Sequence, residues 1–199
     1  MSAVFFLRRP SGNTIESFLD AKRGQEFSYP RVGATRTGPP PGYNVDHNQV
    51  QLGSGSETFA AAADALRRWR MFDIGWLRLF PPTASIEPGV TVAVLARTFG
   101  LWSLHACRIV YVLDEAAPVR RCGFAYGTLR EHAEEGEERF SVEWRQDDSV
   151  WYEILAFSRP RHWLARAGYP LSRRLQRRFV RDSMAAMVAA VRKPGRAAP

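Results

Sequence analysis

Along residues 74–157 the apolar positions fall into short runs with a period near two, and on either side of that series the period lengthens to that of a helix. The runs are 74–80, 90–99, 104–113, 121–129, 138–145 and 150–157. Turn formers separate them: Pro81-Pro82, Glu87-Pro88-Gly89, residues 115–118 and Gln146-Asp147-Asp148. An earlier strand is predicted over 43–52 and is broken by Gly53-Ser54-Gly55-Ser56. A helix then runs from about Ser56 to Arg70, with Phe59, Ala62, Ala63, Leu66 and Trp69 on one side. Ser54 and Glu57 have the spacing of a capping box. No long helix separates the later strands, so parallel crossover units are excluded and a curved antiparallel sheet of seven strands is predicted.

The end of the chain carries the clearest two-faced pattern. After Ser158-Arg159-Pro160 comes a short helical piece, then Gly168-Tyr169-Pro170, then a long helix from Leu171 onward. Projected at about 100° per residue, Leu171, Leu175, Phe179, Val180, Met187 and Val191 share one half. Arg174, Arg177, Arg178 and Arg181 share the other. Ser172, Gln176 and Ser183 project into the apolar half, where a polar group needs a partner from protein, water or ligand. Bonding of the two serines to backbone one turn back is the plain alternative.

Near the start, residues 13–24 predict a short helix with Asn13 as N-cap, Glu16 three residues later and Gly24 at its end. Residues 29–42 are rich in Gly, Pro and Thr and predict an ordered loop. The chain therefore divides into 1–42, a helix and loop packed on the body, 43–193, the main domain, and 194–199, a disordered tail.

Charge and composition narrow the possibilities. Residues 159–199 carry eleven Lys or Arg and one acid, whereas residues 1–158 carry 17 basic and 19 acidic residues. The whole net charge of +8 therefore resides in the last helix and tail. A solvated helix face is the preferred reading of that charge. Nucleic acid or an anionic membrane surface are the alternatives, and the absence of interleaved aromatics on the arginine face argues against base stacking. Two cysteines, Cys107 and Cys122, make no disulfide framework. No run approaches the roughly 18 apolar residues of a membrane span, and a cytoplasmic protein is expected.

Several short segments are distinctive: Tyr29-Pro30-Arg31-Val32-Gly33-Ala34-Thr35, Tyr43-Asn44-Val45-Asp46-His47 and Phe99-Gly100-Leu101-Trp102-Ser103. To these are added Phe124-Ala125-Tyr126-Gly127-Thr128, Gly136-Glu137-Glu138-Arg139-Phe140 and Phe157-Ser158-Arg159-Pro160. In these segments the chain, over roughly residues 18–192, resembles an uncharacterised family of bacteria and plants that bears a domain-of-unknown-function label. The order strand, helix, six strands, long helix resembles the helix-grip fold of the Bet v 1, START and polyketide-cyclase superfamily. The resemblance implies an α+β helix-grip fold, a curved sheet wrapped around the C-terminal helix, and an internal cavity. It carries over no catalytic residue.

Candidate chemistry is sparse. His105 and Cys107 alternate on one strand face, but no ligand set has metal spacing, so neither a metal nor a cofactor is expected. Gly-x-Ser-x-Gly is absent, and Gly53-Ser54-Gly55-Ser56 lacks the lysine of a phosphate loop. His132 with Glu134, Glu135, Glu137 and Glu138 forms an acidic cluster that reads first as a hydrated hairpin loop. Arg97, Arg108, Glu143 and Glu153 interrupt apolar strands and are expected on a convex, solvated side. Phe140, Val142 and Trp144, Phe124 and Tyr126, and Ile109 and Tyr111 are expected to form the concave wall.

The leading expectation is a monomer or homodimer that binds a small hydrophobic molecule between sheet and last helix. The expected contacts are Trp69, Trp76, Tyr126, Tyr152 and Gln176, with Arg97 or His47 as polar anchor. A second class of function is a cyclase- or hydrolase-like enzyme using His47 or the His132 cluster for acid–base work. A third is binding of nucleic acid or anionic membrane through the arginine-rich helix.

Overall fold

The computed structural model describes residues 4–130, 132, 134–161 and 168–192. His162, the short piece expected before Gly168 and the tail 194–199 lie outside the described residues.

The elements in chain order are β1 (Val4–Phe6), α1 (Gly12–Lys22), α2 (Ala34–Thr37), β2 (Asn44–Ser54) and α3 (Gly55–Arg67). A single 3-10 turn, Arg70–Phe72, leads to β3 (Leu77–Phe80), β4 (Thr91–Thr98), β5 (Leu101–Glu115) and β6 (Arg120–Thr128). Then come β7 (Glu134–Trp144), β8 (Ser149–Pro160) and α4 (Tyr169–Arg192). The sheet is antiparallel in the order β2-β8-β7-β6-β5-β4-β3. It holds α3 and α4 against one face, which is the helix-grip arrangement. One strand more is present than the pattern predicts: β1 pairs with Trp102–Leu104 of β5, beyond the point where β6 stops pairing.

The inner face is half filled and half hollow. α3 lays Phe59, Ala62, Ala63 and Leu66 on the sheet. Trp69 and Phe72 follow and pack against Phe124 and Phe140 from β6 and β7, with Trp69 and Phe124 ring centroids 4.7 Å apart. Each such large side chain contributes about 1.5–3 kcal/mol on burial. The later turns of α4 are seated on this packing through Ser183 and Met187, both fully buried. Its earlier turns extend past it, over sheet that no other helix among the described residues covers.

Much of the outer face is covered rather than solvated as its polar residues predict, although Arg97 is exposed there as expected. α1 covers β4 and β5, burying Ile15, Leu95 and Leu104, with Phe6 of the neighbouring β1, Phe18 and Trp102 around them. Residues 28–42 cover β6 to β8, burying Tyr29 and Ala34 against Phe157. Glu143 and Glu153 do lie on this face, but buried, paired with Arg121 and Arg139 respectively. Arg108 is there too, donating to the carbonyls of Lys22, Arg23 and Gln25 after α1.

Three local expectations are corrected. Ser11, not Asn13, caps α1, its Oγ accepting from the Thr14 amide at 3.2 Å. Ser54 makes no side-chain cap, and its carbonyl accepts instead from Thr58 Oγ1. Tyr111 leaves the concave wall because a bulge at Val110 reverses the alternation, and its hydroxyl meets Thr35 on the outer face at 2.7 Å.

Candidate functional site

The hollow arises where period-two alternation brings polar side chains to a face otherwise apolar. One register row of the sheet reads Asp46, Ala156, Glu138, Tyr126 and Ile109 across β2, β8, β7, β6 and β5. The next inward-facing row holds Asn48, Ile154, Phe140 and Phe124. Over the first row and the strand ends beyond it, the sheet and the first turns of α4 enclose a hollow of about 620 Å³. Phe72, Trp76, Val94, Ile154, Phe179 and Val180 supply much of its apolar wall. Asp46, His105, Cys107, Tyr126, His132 and Glu138 supply polar atoms.

Glu138 is the chemical centre of this wall. Tyr126 Oη donates to its Oε2 at 2.8 Å, and no described arginine or lysine forms an ion pair with it. Burial, then the nearby negative charges of Asp46 and Glu134, push its carboxyl up to about 7, although the tyrosine hydrogen bond pulls the other way. Burial and the same carboxylate push the Tyr126 phenol well above its ordinary value.

Beside this pair the rings of His105 and His132 lie 5.0 Å apart. Burial holds His105 down to about 4, and burial together with the His105 neighbour holds His132 down to about 3. Both are neutral at pH 7. His105 Nε2 bonds Ser103 Oγ at 2.9 Å, and its buried Nδ1 has no partner among the described residues.

At the rim, Arg173 grips Asp46 with both terminal nitrogens, and Gln176 Nε2 donates to Glu134 and Ser158. On the other flank Trp76 Nε1 donates to Asp182 at 2.9 Å, and the Arg178 guanidinium lies 4.6 Å from the Trp76 ring centroid. Among the described residues no three His, Cys, Asp or Glu side chains are grouped so as to hold a metal ion. Among them, too, no helix is long and apolar enough to cross a membrane.

A family model described as a domain of unknown function, DUF1990, matches residues 28–186. The chain belongs to the DUF1990 family. A UPF0548 protein of Dictyostelium discoideum is 35% identical over 208 residues, spanning 94% of this chain and 96% of the relative. A UPF0548 protein of Deinococcus radiodurans is 34% identical over 189 residues, spanning 89% and 94%. Among solved structures, a hypothetical protein of Helicobacter pylori superposes with a TM-score of 0.50 at 13% identity, over 82% of this chain and 95% of that one. That likeness is one of fold alone.

In this DUF1990 chain the residues named on sequence grounds separate into three groups. Trp76, Tyr126 and Gln176 line the hollow. Trp69 and Tyr152 lie in the packed core beside it: Trp69 Nε1 donates to the Ala84 carbonyl, and Tyr152 Oη meets Ser183 Oγ at 3.0 Å. His47 and Arg97 are on the outer face. His47 Nε2 pairs with Glu153 at 2.8 Å, and the exposed Arg97 lies over Trp102. Neither reaches the hollow, because both occupy the opposite phase of their strands from Asp46 and Ala96.

Sequence reasoning missed Asp46, Asn48 and Glu138 as lining residues. The signal was present: counting back by twos from Phe140 reaches Glu138, Gly136 and Glu134. The acidic cluster is thus the start of β7, with Glu134 and Glu138 facing inward and Glu135 and Glu137 facing outward. Glu137 accepts from Tyr29 Oη, the Gly33 and Thr35 amides and Thr35 Oγ1. The distinctive DUF1990 segments therefore serve the outer face as much as the inner one.

Proposed function

We propose that this DUF1990 protein binds a small, largely apolar molecule between its sheet and the first half of α4. The observation that carries this reading is the hollow itself, about 620 Å³ with an apolar majority and a few convergent polar groups. Tyr126 Oη, whose proton goes to Glu138, and the remaining carboxyl oxygen of Glu138 offer a polar group of the guest two acceptors.

Ala156 faces the hollow next to Glu138, so Ala156→Phe fills it from a strand that tolerates an aromatic residue. Saturable binding of an apolar fluorophore by the wild type, and its loss in Ala156→Phe with the fold retained by circular dichroism, is the expected result. Unchanged binding in the variant overturns the reading. Native mass spectrometry of the purified protein would show any guest already bound.

One observation favours an enzyme in the same hollow: a carboxyl held near 7 beside a tyrosine can exchange a proton at neutral pH. Of the acid–base candidates, His47 and the His132 cluster, this reading gives the role to Glu138 of the cluster. His47 lies outside the hollow, and His132 is held neutral. Guests extracted from wild type and Glu138→Gln distinguish the two readings. Different molecular species mean turnover, and the same species means a carrier.

A further inference from the structure

Beside the hollow, on the far flank of α4 from Asp46, lies a groove of about 700 Å³ lined by Phe99, Pro170, Arg174, Arg177, Arg178 and Arg181. Leu175, Arg177 and Arg181 border both spaces, so groove and hollow are neighbours across the same turns of α4. Asp182 is paired with Arg178 and Arg181 and offsets only part of this charge. Arg174 and Arg177 are exposed and form no ion pair among the described residues. Phe99, at the tip of the β4–β5 turn and 73% exposed, closes the opposite side.

Resting on the reading above, we infer that the guest is an anionic amphiphile whose head group sits among these arginines while its apolar part enters the hollow. Guanidinium groups pair in planar, bidentate fashion with phosphate and carboxylate, and they are weakly hydrated, which suits a rim half in water. The hollow disfavours the reverse orientation. Its sheet wall carries Asp46, Glu134 and Glu138; burial first, and the two neighbouring carboxylates next, already keep Glu138 from ionising freely, and the guanidinium beside them, Arg173, is committed to Asp46, so an added anion meets no uncommitted counter-charge at that wall. Positive rim and acidic interior together give the site one polarity.

The test compares dodecyl phosphate, dodecanol and dodecyltrimethylammonium, each below its micelle concentration, as displacers of an apolar fluorophore. The proteins are wild type and Arg174→Ala/Arg177→Ala. Wild type is expected to prefer dodecyl phosphate over dodecanol by about tenfold or more, with the cationic amphiphile weakest. The preference should shrink severalfold in the double variant and in about 0.5 M salt, with dodecanol binding changing far less than dodecyl phosphate binding. Equal affinity for dodecyl phosphate and dodecanol, or a preference that survives the double substitution, overturns the inference and leaves the apolar-guest reading intact. Failure of every amphiphile to displace the fluorophore overturns both. Co-sedimentation with phosphatidylglycerol vesicles that depends on Arg174 and Arg177, without any preference among monomeric amphiphiles, makes the groove a membrane contact and overturns the inference as well.

Discussion

A carboxyl whose proton is retained up to about 7 makes the folded state bind that proton where the unfolded chain has already released it. For Glu138 the folded value lies above the free one, so its contribution is greatest below about 4.5 and is lost as pH rises to about 7. At about 1.4 kcal/mol per pH unit, the loss is on the order of 3 kcal/mol. Glu138→Gln keeps an acceptor for Tyr126 and removes the charge. It is expected to raise the melting temperature relative to wild type at pH 8 and to leave it nearly unchanged at pH 4.5, as read by thermal scans at the two pH values. His105 and His132 act in the opposite sense. Their folded values lie below the free one, so stability is lost as pH falls from about 6.5 towards 4 and 3.

At the scale of elements, α4 is docked on β8 by one buried polar contact inside an apolar seam, Tyr152 to Ser183. Either partner alone would be an unsatisfied buried group. Tyr152→Phe and Ser183→Ala should each cost about 1–2 kcal/mol in denaturant unfolding, and the double variant should cost little more than the worse single one. A sum of the two single costs would mean that the contact carries no coupling. The helix also shows what periodicity can reveal. Ser172, Gln176 and Ser183 were legible as inward polar positions because the helical period alone places them. The partners of Ser183 and Gln176, Tyr152 for the one and Ser158 and Glu134 for the other, were not, because those come from strands whose register no local pattern states. Tyr111 was misplaced for a related reason: a single extra residue at Val110 reverses every later side chain of β5, and nothing in Ile109-Val110-Tyr111 marks it.

At the scale of the molecule, both faces of the sheet are clothed, and the two coverings serve different ends. The succession of antiparallel strands and the long last helix were readable from strand count and turn signals. The dry outer face was not, because Arg139, Ser141, Glu143 and Glu153 alternate with apolar residues as on any water-facing sheet. Here the segment 28–42 takes the place of water. Gly127 allows this: a Cβ there would fall 2.0 Å from Tyr29 Oη. Gly127→Ala should displace Tyr29 from Glu137 and cost about 1–3 kcal/mol in chemical denaturation, while fluorophore binding inside the sheet is unaffected. Loss of binding with stability intact would contradict this division of labour between the faces.

α4 is a beam built into masonry at one end and laced at the other. The built-in end sits on Met187 and Ser183, and the lacing is Arg173 to Asp46 and Gln176 to Glu134. Unlacing it disturbs none of the masonry. On the proposed reading, a guest's way in between sheet and helix is governed by ionic strength, which screens the lacing, rather than by the heat that would bring down the wall.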